Sequence, residues 1–353
     1  MFVYISYTLH RMKPVLSIVI INYNSKHYLQ KCLDSVFAQK IADLEVIFID
    51  NASEDGSFEF VEANYPDLRA IRNGNNLGYA AAGNQGIKMA EGEYVMILNP
   101  DILFEAGYME ACLKKMQEDR KVGVIGGKVY KYDFEKDRKT KYIDTVGIFS
   151  HRNRRFIDDG QGLLDQGQFD QDREIFGVSG ACPIYRKKSL EDVKIGDEYL
   201  DEDFFMYKED VDISWRLRLY GWKCYYLSGA IAYHGRGTGV LKRFSHLEVA
   251  RNRSKLSKFQ KYYSYKNQRL MQVKNEFFSG FVRDLFPIVW KEVLVTGYIV
   301  FREPHLIKAW LHLIKQLPAA LKKRQSIMKN AKVNAKEMQR WLSNKQSTYL
   351  KTK

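Results

Sequence analysis

The sequence has no stretch of the roughly 18 uncharged apolar residues that a membrane-spanning helix needs. In its apolar C-terminal part the longest uncharged run, Val293 to Phe301, has nine residues. Cysteine is scarce: Cys32, Cys112, Cys182 and Cys224 lie far apart, with no Cys-x-x-Cys pair. That argues against a zinc ribbon, a thioredoxin-type redox site and a disulfide-stapled secreted fold, and it fits a reducing compartment. The leader, residues 1–14, has few apolar residues before His10, Arg11 and Lys13, no basic segment ahead of them and no small-residue cleavage site. A secretory signal is therefore not expected, and the protein is expected in the cytosol. What is present, 45% hydrophobic and 28% charged residues over 353 positions, is the composition of a globular protein. The length allows one large domain with an appendage, or two domains.

Acidic residues are scarce in the last third. Residues 242–353 carry 25 Lys+Arg against 6 Asp+Glu, whereas residues 1–241 carry 31 against 36. The whole basic excess lies beyond a break at Val240-Leu241-Lys242-Arg243. A shift this sharp marks a change of role. It divides the chain into the leader, a main domain (15–241) and a basic, mainly helical region (242–353).

Within the main domain apolar runs alternate with helical spacings. Leu16 to Ile21, Glu45 to Ile49, Leu68 to Ile71 and Tyr94 to Leu98 read as strands. Helices are predicted from the spacing of Leu29, Cys32, Leu33 and Val36, over Ser57 to Asn64 and over Tyr79 to Ala90. The pattern is that of an α/β domain with a mainly parallel sheet. Each strand is followed by Asn or Asp: Asn22 and Asn24, Asp50 and Asn51, the group Asn73 to Asn76, then Asn99 and Asp101. Such residues serve as turns and caps. Four sets in a row, at the ends where open α/β sheets bind ligands, favour a binding mouth.

The segments LSIVIINYN, VIFIDNASEDGS, NNLGYAAAGNQGI and YVMILNPD, in that order, resemble the family 2 glycosyltransferases, which have the GT-A fold. LDEDFFMYKEDVDISWRLRLYGW followed by AYHGRGTG resembles the branch assigned as rhamnosyltransferases of bacterial surface polysaccharides. The resemblance covers roughly residues 15–240. It implies that Asp50 contacts the nucleobase or ribose of a nucleotide-sugar donor, with Asn51 replacing the commoner second Asp. Asn22 and Asn24 belong to the same donor site, and Asn76 and Gly78 match the Asn-x-Gly loop that walls it. The family's metal-binding Asp-x-Asp is here Asn99-Pro100-Asp101. Asp101 is the implied metal ligand, and Asn99 a neutral oxygen donor or sugar contact; a simple turn is the other reading. Mg2+ or Mn2+ suits oxygen ligands and diphosphate. With one carboxylate fewer, metal and donor are expected to bind together. His234 stands where related enzymes complete the metal site, with a structural histidine as the alternative, and Arg236 could pair with phosphate.

The resemblance places the general base at Asp210, a carboxylate able to take the acceptor's proton. Glu209 would orient the acceptor and Asp212 is the fallback base. Acidic residues also suit a helix N-terminus, and Ile213, Leu217 and Tyr220 recur at helical spacing behind them. One base and no covalent nucleophile imply displacement with inversion. The Gln-x-x-Arg-Trp motif of processive synthases is missing, so one sugar at a time is expected. In Phe176 to Ile184, rich in small residues, Gly180 is the candidate acceptor contact, a packed strand being the alternative. Asp133 to Gln171, charged and with few apolar runs, reads as excursions or a mobile loop near the acceptor.

The basic region interleaves aromatic and aliphatic residues with Arg283, Lys291, Arg302, Lys308, Lys315 and Lys322. This suits amphipathic helices lying on an anionic membrane, where a lipid-linked acceptor would be found. A helical subdomain packed on the core or on another subunit is the alternative. No nucleic-acid motif accompanies the charge. The end of the chain, from Gln325, reads as a solvated helix or frayed terminus. The expectation is an inverting, metal-dependent, membrane-associated transferase. It would move L-rhamnose from dTDP-L-rhamnose, or another hexose from a UDP-sugar, to a saccharide acceptor of the bacterial cell surface. The rivals are a nucleotidyltransferase, which should carry a basic glycine-rich loop where Asn22-Tyr23-Asn24 stands, and an inactive saccharide-binding scaffold.

Overall fold

The computed structural model describes residues 13–235, 253–254 and 256–343; Arg236 and the charge break lie outside them. β1 (Leu16–Asn22), α1 (Lys26–Phe37), β2 (Leu44–Asp50), α2 (Ser57–Asn64), β3 (Arg69–Arg72), α3 (Tyr79–Met89) and β4 (Tyr94–Leu98) follow one another. The strand limits agree with the apolar runs to within a single residue. β1 pairs in parallel with β2 on one side and β4 on the other, and β2 with β3. The chain therefore winds outward from β1 to β3, then crosses back to lay β4 on the far side of β1. The carboxyl ends of β1 and β4 flank this switch point, the place where such sheets take ligands. Val19, Ile21, Val95 and Ile97 enter one core, while Ile18, Ile20, Met96 and Leu98 enter the other. Burial on both faces is why the sequence shows unbroken apolar runs there.

Beyond β4 the sheet becomes mixed. β5 (Ile102–Phe104), α4 (Tyr108–Glu118), β6 (Val122–Asp133), β7 (Arg138–Thr145), β8 (Ile148–His151), β9 (Phe156–Asp158), β10 (Arg173–Ile175), β11 (Ile184–Arg186), α5 (Lys187–Val193), α6 (Glu209–Leu219) and β12 (Lys223–His234) complete the first part. The strand order is β10-β12-β6-β11-β4-β1-β2-β3, with β5 on β12 and β7 on β6. Two expectations are corrected here. Residues 133–171 are not a loop excursion: they contain β7, β8 and β9, whose inward side is supplied by Ile143, Ile148 and Phe156 among charged neighbours. The stretch from Phe176 is no single strand; it runs irregularly until β11 begins at Ile184.

The C-terminal part contributes α7 (Lys258–Asn275), α8 (Phe278–Arg283), α9 (Leu285–Arg302), α10 (Ile307–Lys329), α11 (Ala335–Gln339) and β13 (Leu342–Ser343). α7 starts on a capping box between Ser257 and Gln260 and packs between α6 and α10. Buried ion pairs fix it: Lys274 reaches Asp201 and Asp212, and Arg154 joins Glu276 and Asp284. The described part of the end, Gln325 to Ser343, is anchored on the domain at a few points although most of its polar side chains stay exposed or half-exposed. Ile327 and Met338 are buried, β13 pairs with β8, and the Trp341 ring lies 3.8 Å from the Arg218 guanidinium. Those apolar anchors are too widely spaced to stand out against the surrounding Lys and Asn. Among the described residues no helix is long and apolar enough to cross a membrane.

Candidate active site

The ends of β1 and β2 are tied together by their own polar side chains. Asn22 donates from Nδ2 to Asp50 Oδ1 (2.9 Å) and Ser53 Oγ (3.0 Å), and the second Asp50 oxygen accepts the Ser53 N–H (2.9 Å). Asp50 is wholly buried, so this carboxylate organises the turn after β2 and is not presented to a ligand. Each of its oxygens accepts a hydrogen bond within the turn, and neither reaches the surface in this structure. Asn51, also buried, explains its own departure from Asp. Its Nδ2 donates to Asn76 Oδ1 (2.9 Å) and Gly78 O (3.2 Å), while its Oδ1 accepts from Asn73 Nδ2 (3.1 Å) and the Leu77 N–H (3.0 Å). An amide can make both kinds of bond, whereas an ionised Asp carboxylate could only accept. Asn24 is exposed, with φ of 50°, and accepts the Glu54 N–H on its Oδ1 (2.8 Å).

Gly78 has φ of +86°, and a Cβ there would fall 2.6 Å from Phe205. Close approach therefore requires glycine at this position, but the approaching group is the Phe205 loop. That loop is strained. Phe205 (φ 62°), Tyr207 (φ 70°) and Lys208 (φ 75°) all adopt left-handed backbone, a concentration typical of functional sites. Asn267 of α7 holds it, donating from Nδ2 to Phe204 O, Met206 O and Tyr207 O at 2.8–2.9 Å.

The strained turn delivers Glu209 and Asp210 to the first turn of α6. Asp210 Oδ2 accepts the Gly180 N–H (3.1 Å) and Oδ1 accepts the Val211 N–H (2.8 Å). A side chain at Gly180 would press on Asp210 at 3.2 Å. Burial pushes the Asp210 carboxyl up, against the opposing pull of Lys208. Glu209 rises to about 8 through burial and the charge of Asp210. Its Oε2 is buried and makes no hydrogen bond. Asp212 is corrected: it is fully buried against Arg216 Nε (3.0 Å), Lys274 Nζ (3.0 Å) and Asn275 Nδ2 (2.7 Å). Three cationic or amide donors enclose it, so it cannot act as a base.

Asp101 and His234 meet because β5 pairs antiparallel with the end of β12, placing Ile102 opposite His234. The Gly235 N–H then donates to Asp101 O (2.9 Å). His234 Nε2 stands 3.2 Å from Asp101 Oδ1, and its Nδ1 stands 2.8 Å from Asp144 Oδ2. Burial opposes the charge on the ring, but the two carboxylates outweigh it and hold the imidazole up at about 9. Asp144 was not legible in the sequence; nothing marks it within β7. His234 is buried, while the Asp101 carboxylate remains partly open at 19%. A donor set for a hard divalent cation exists here only once His234 gives up its proton, because an imidazolium has no lone pair for a metal. It comprises one carboxylate and one imidazole whose other nitrogen is fixed by a second carboxylate. Among the described residues no group of three His, Cys, Asp or Glu could hold a metal by itself, so this pair suits an ion shared with an anionic ligand.

Two consecutive residues join these parts. Gly180 N–H bonds Asp210, Gly180 O accepts the Tyr79 hydroxyl (2.9 Å), and Ala181 O accepts the Asn99 N–H (2.9 Å). The α6 carboxylates, the start of α3 beside Gly78 and the end of β4 therefore converge on one seam. Asn99 itself is half-buried there.

Comparison with known proteins agrees with this arrangement. Over 243 residues the chain is 28% identical to an N-acetylglucosaminyl-diphospho-decaprenol L-rhamnosyltransferase of Mycobacterium tuberculosis, covering 63% of this chain and 76% of that protein. It is 26% identical over 231 residues to a poly-beta-1,6-N-acetyl-D-glucosamine synthase of Staphylococcus epidermidis, covering 64% of this chain and half of that one (50%). Among solved structures, S. aureus TarS 1–349 in complex with UDP-GlcNAc matches with a TM-score of 0.54 at 17% identity, covering 94% of this chain and 93% of that chain. GalNAc-T7 with UDP, GalNAc and Mn2+ matches with a TM-score of 0.51 at 13% identity, covering 83% and 58%. These likenesses give the GT-A fold. Residues 17–194, half of the chain, match the sequence profile of Glycosyl transferase family 2, and the chain belongs to that family of enzymes.

Proposed function

We propose that this glycosyltransferase is inverting, divalent-metal-dependent and non-processive. It moves L-rhamnose from dTDP-L-rhamnose to a lipid-linked saccharide in surface polysaccharide assembly, at the inner face of the cell membrane. The observation that carries the chemistry is the Gly180–Ala181 seam, which ties the Asp210 carboxylate to the strand end bearing Asn99 and Asp101. The donor diphosphate lies beyond the carboxyl ends of β1 and β4, with Asn76 and Gly78 in the neighbouring wall. Asp101 and His234 would hold Mg2+ or Mn2+, which neutralises charge on the leaving diphosphate. Asp144 orients His234. Asp210 takes the proton of the acceptor hydroxyl as that oxygen attacks the anomeric carbon, and Glu209 and Gly180 position the acceptor. Support for rhamnose and for a lipid-linked acceptor comes from what the mycobacterial relative's name says of that protein.

A panel of dTDP-rhamnose, UDP-glucose, UDP-N-acetylglucosamine and GDP-mannose, each with Mg2+ or Mn2+, tests this by thermal shift and donor hydrolysis. Metal-dependent turnover of dTDP-rhamnose is expected. Turnover of a UDP-hexose instead moves the donor assignment, and silence with every donor leaves an inactive saccharide-binding scaffold. For Asp101→Ala we expect Mn2+ titration in the presence of dTDP to lose its binding signal. Asp144→Asn should weaken it by about 10–100-fold, the usual cost of removing a carboxylate behind a ligating histidine. An unchanged titration in both would refute the metal site.

A further inference from the structure

Fifteen of the twenty large hydrophobic side chains exposed among the described residues lie between Phe278 and Leu321. α9 is apolar almost all round, yet only Ile288 and Ile299 of its 18 residues are buried. Phe286 is 80% exposed, Trp290 58% and Phe301 84%. On α10 the exposed Ile307, Ile314 and Leu321 recur every seven residues, and each is followed by an exposed lysine: Lys308, Lys315 and Lys322. An apolar stripe edged by lysines thus runs along α10, and Ile299 of α9 packs in one cluster with Ala309 of α10. Exposed apolar side chains gathered on two packed helices mark an interaction surface.

The charges select the partner. The segment Phe278–Leu321 contains three acids, Asp284, Glu292 and Glu303. All are turned inward onto cations of the chain: Asp284 onto Arg154, Glu292 onto Arg269, and Glu303 onto Arg253 and Lys261. The outward face keeps basic charge alone. We infer that α9 and α10 form a docking face for an anionic lipid bilayer, with Phe286, Trp290 and Phe301 entering the acyl boundary and the α10 lysines at the headgroups. Among the described residues no helix can span, so the face lies in the plane of the interface. α7, which clamps the strained turn before α6 through Asn267, packs against α10. The docking face and the catalytic carboxylates are therefore joined through α7, which touches α10 on one side and α6 on the other. The inference deepens the membrane placement proposed above and rests on that reading only for where the acceptor lies.

The test is cosedimentation of the full chain with phosphatidylglycerol–phosphatidylcholine vesicles and with phosphatidylcholine alone. Sedimentation velocity and donor hydrolysis are run on the same samples. Binding to the anionic vesicles is expected. Lys308→Glu/Lys315→Glu/Lys322→Glu should weaken it about a hundredfold, from the electrostatic attraction lost at each lysine. Trp290→Glu/Phe301→Glu should abolish it while hydrolysis persists, which shows the variant is folded. Absent wild-type binding, equal binding by the variants, or a stable wild-type dimer that Trp290→Glu/Phe301→Glu converts to monomer would overturn the inference. Loss of hydrolysis with vesicle binding intact would instead sink the catalytic reading alone.

Discussion

Asp210→Asn should leave nucleotide-sugar binding nearly intact while lowering transfer about 10²–10⁴-fold, the range a positioned base contributes. The substitution is nearly isosteric. The amide oxygen can still accept the Gly180 or Val211 N–H that the carboxylate accepts now, so the turn should survive. What disappears is the ability to take a proton. The pH profile supplies an independent readout. Burial raises the Asp210 carboxyl, so it ionises only above the ordinary carboxylate range. The base is therefore lost as pH falls through that raised value, and the acid limb of kcat/KM should lie higher than a free aspartate would give. Lys208 opposes the rise, so Lys208→Met should move the limb to still higher pH. In Glu209→Gln the limb should persist, because burial of Asp210 itself is its main cause. Equal loss of donor affinity and of transfer in Asp210→Asn would assign Asp210 to structure instead.

The parts of the site that were legible in the sequence are those set by local pattern. Strand ends are fixed where apolar runs stop, and so Asn22, Asp50, Asn99 and Asp101 could be placed at one edge before any coordinates. The role of each was less legible, because it depends on partners distant in sequence. Asp50 is enclosed by Asn22 and Ser53, and Asn51 is an internal cross-link of its loop. Neither contact leaves a trace in spacing. Asp212 shares its motif with Asp210 but lies two residues further round α6. There it faces Arg216 and the C-terminal helix rather than the mouth. Asp144 and Asn267 act on the site from β7 and α7, and no spacing or motif marks either residue. The helices of the C-terminal extension follow the pattern of its sequence. Its inward anchors, Lys274 and Asn275, were invisible because a buried lysine looks like any other lysine until its partners are known.

Lys274→Met should cost about 3–5 kcal/mol of stability, the usual penalty for breaking a buried pair by removing one partner. Lys274 is fully buried, and its ammonium bridges Asp201 and Asp212. Asp212 would keep Arg216 and Asn275, and Asp201 would keep Lys323. Each carboxylate would nonetheless face a methionine where a cation stood, inside a core that water does not reach. Asp201 is held well below the usual carboxylate range by Lys274 and Lys323 despite its burial. Its stabilisation is accordingly present above the ordinary aspartate value and lost as pH falls through the depressed one. Lys274→Met raises that pKa, so the variant's deficit should be largest at neutral pH and shrink in acid. Calorimetry should show a melting temperature lower by about 5–10 °C. Adding Asp201→Asn should restore part of the loss, because the unpaired charge then goes with its partner. Transfer should fall as well, because Asp212 anchors the same helical turn that presents Asp210. An unaltered melting temperature would mean that the C-terminal helices contribute nothing to holding that turn in place.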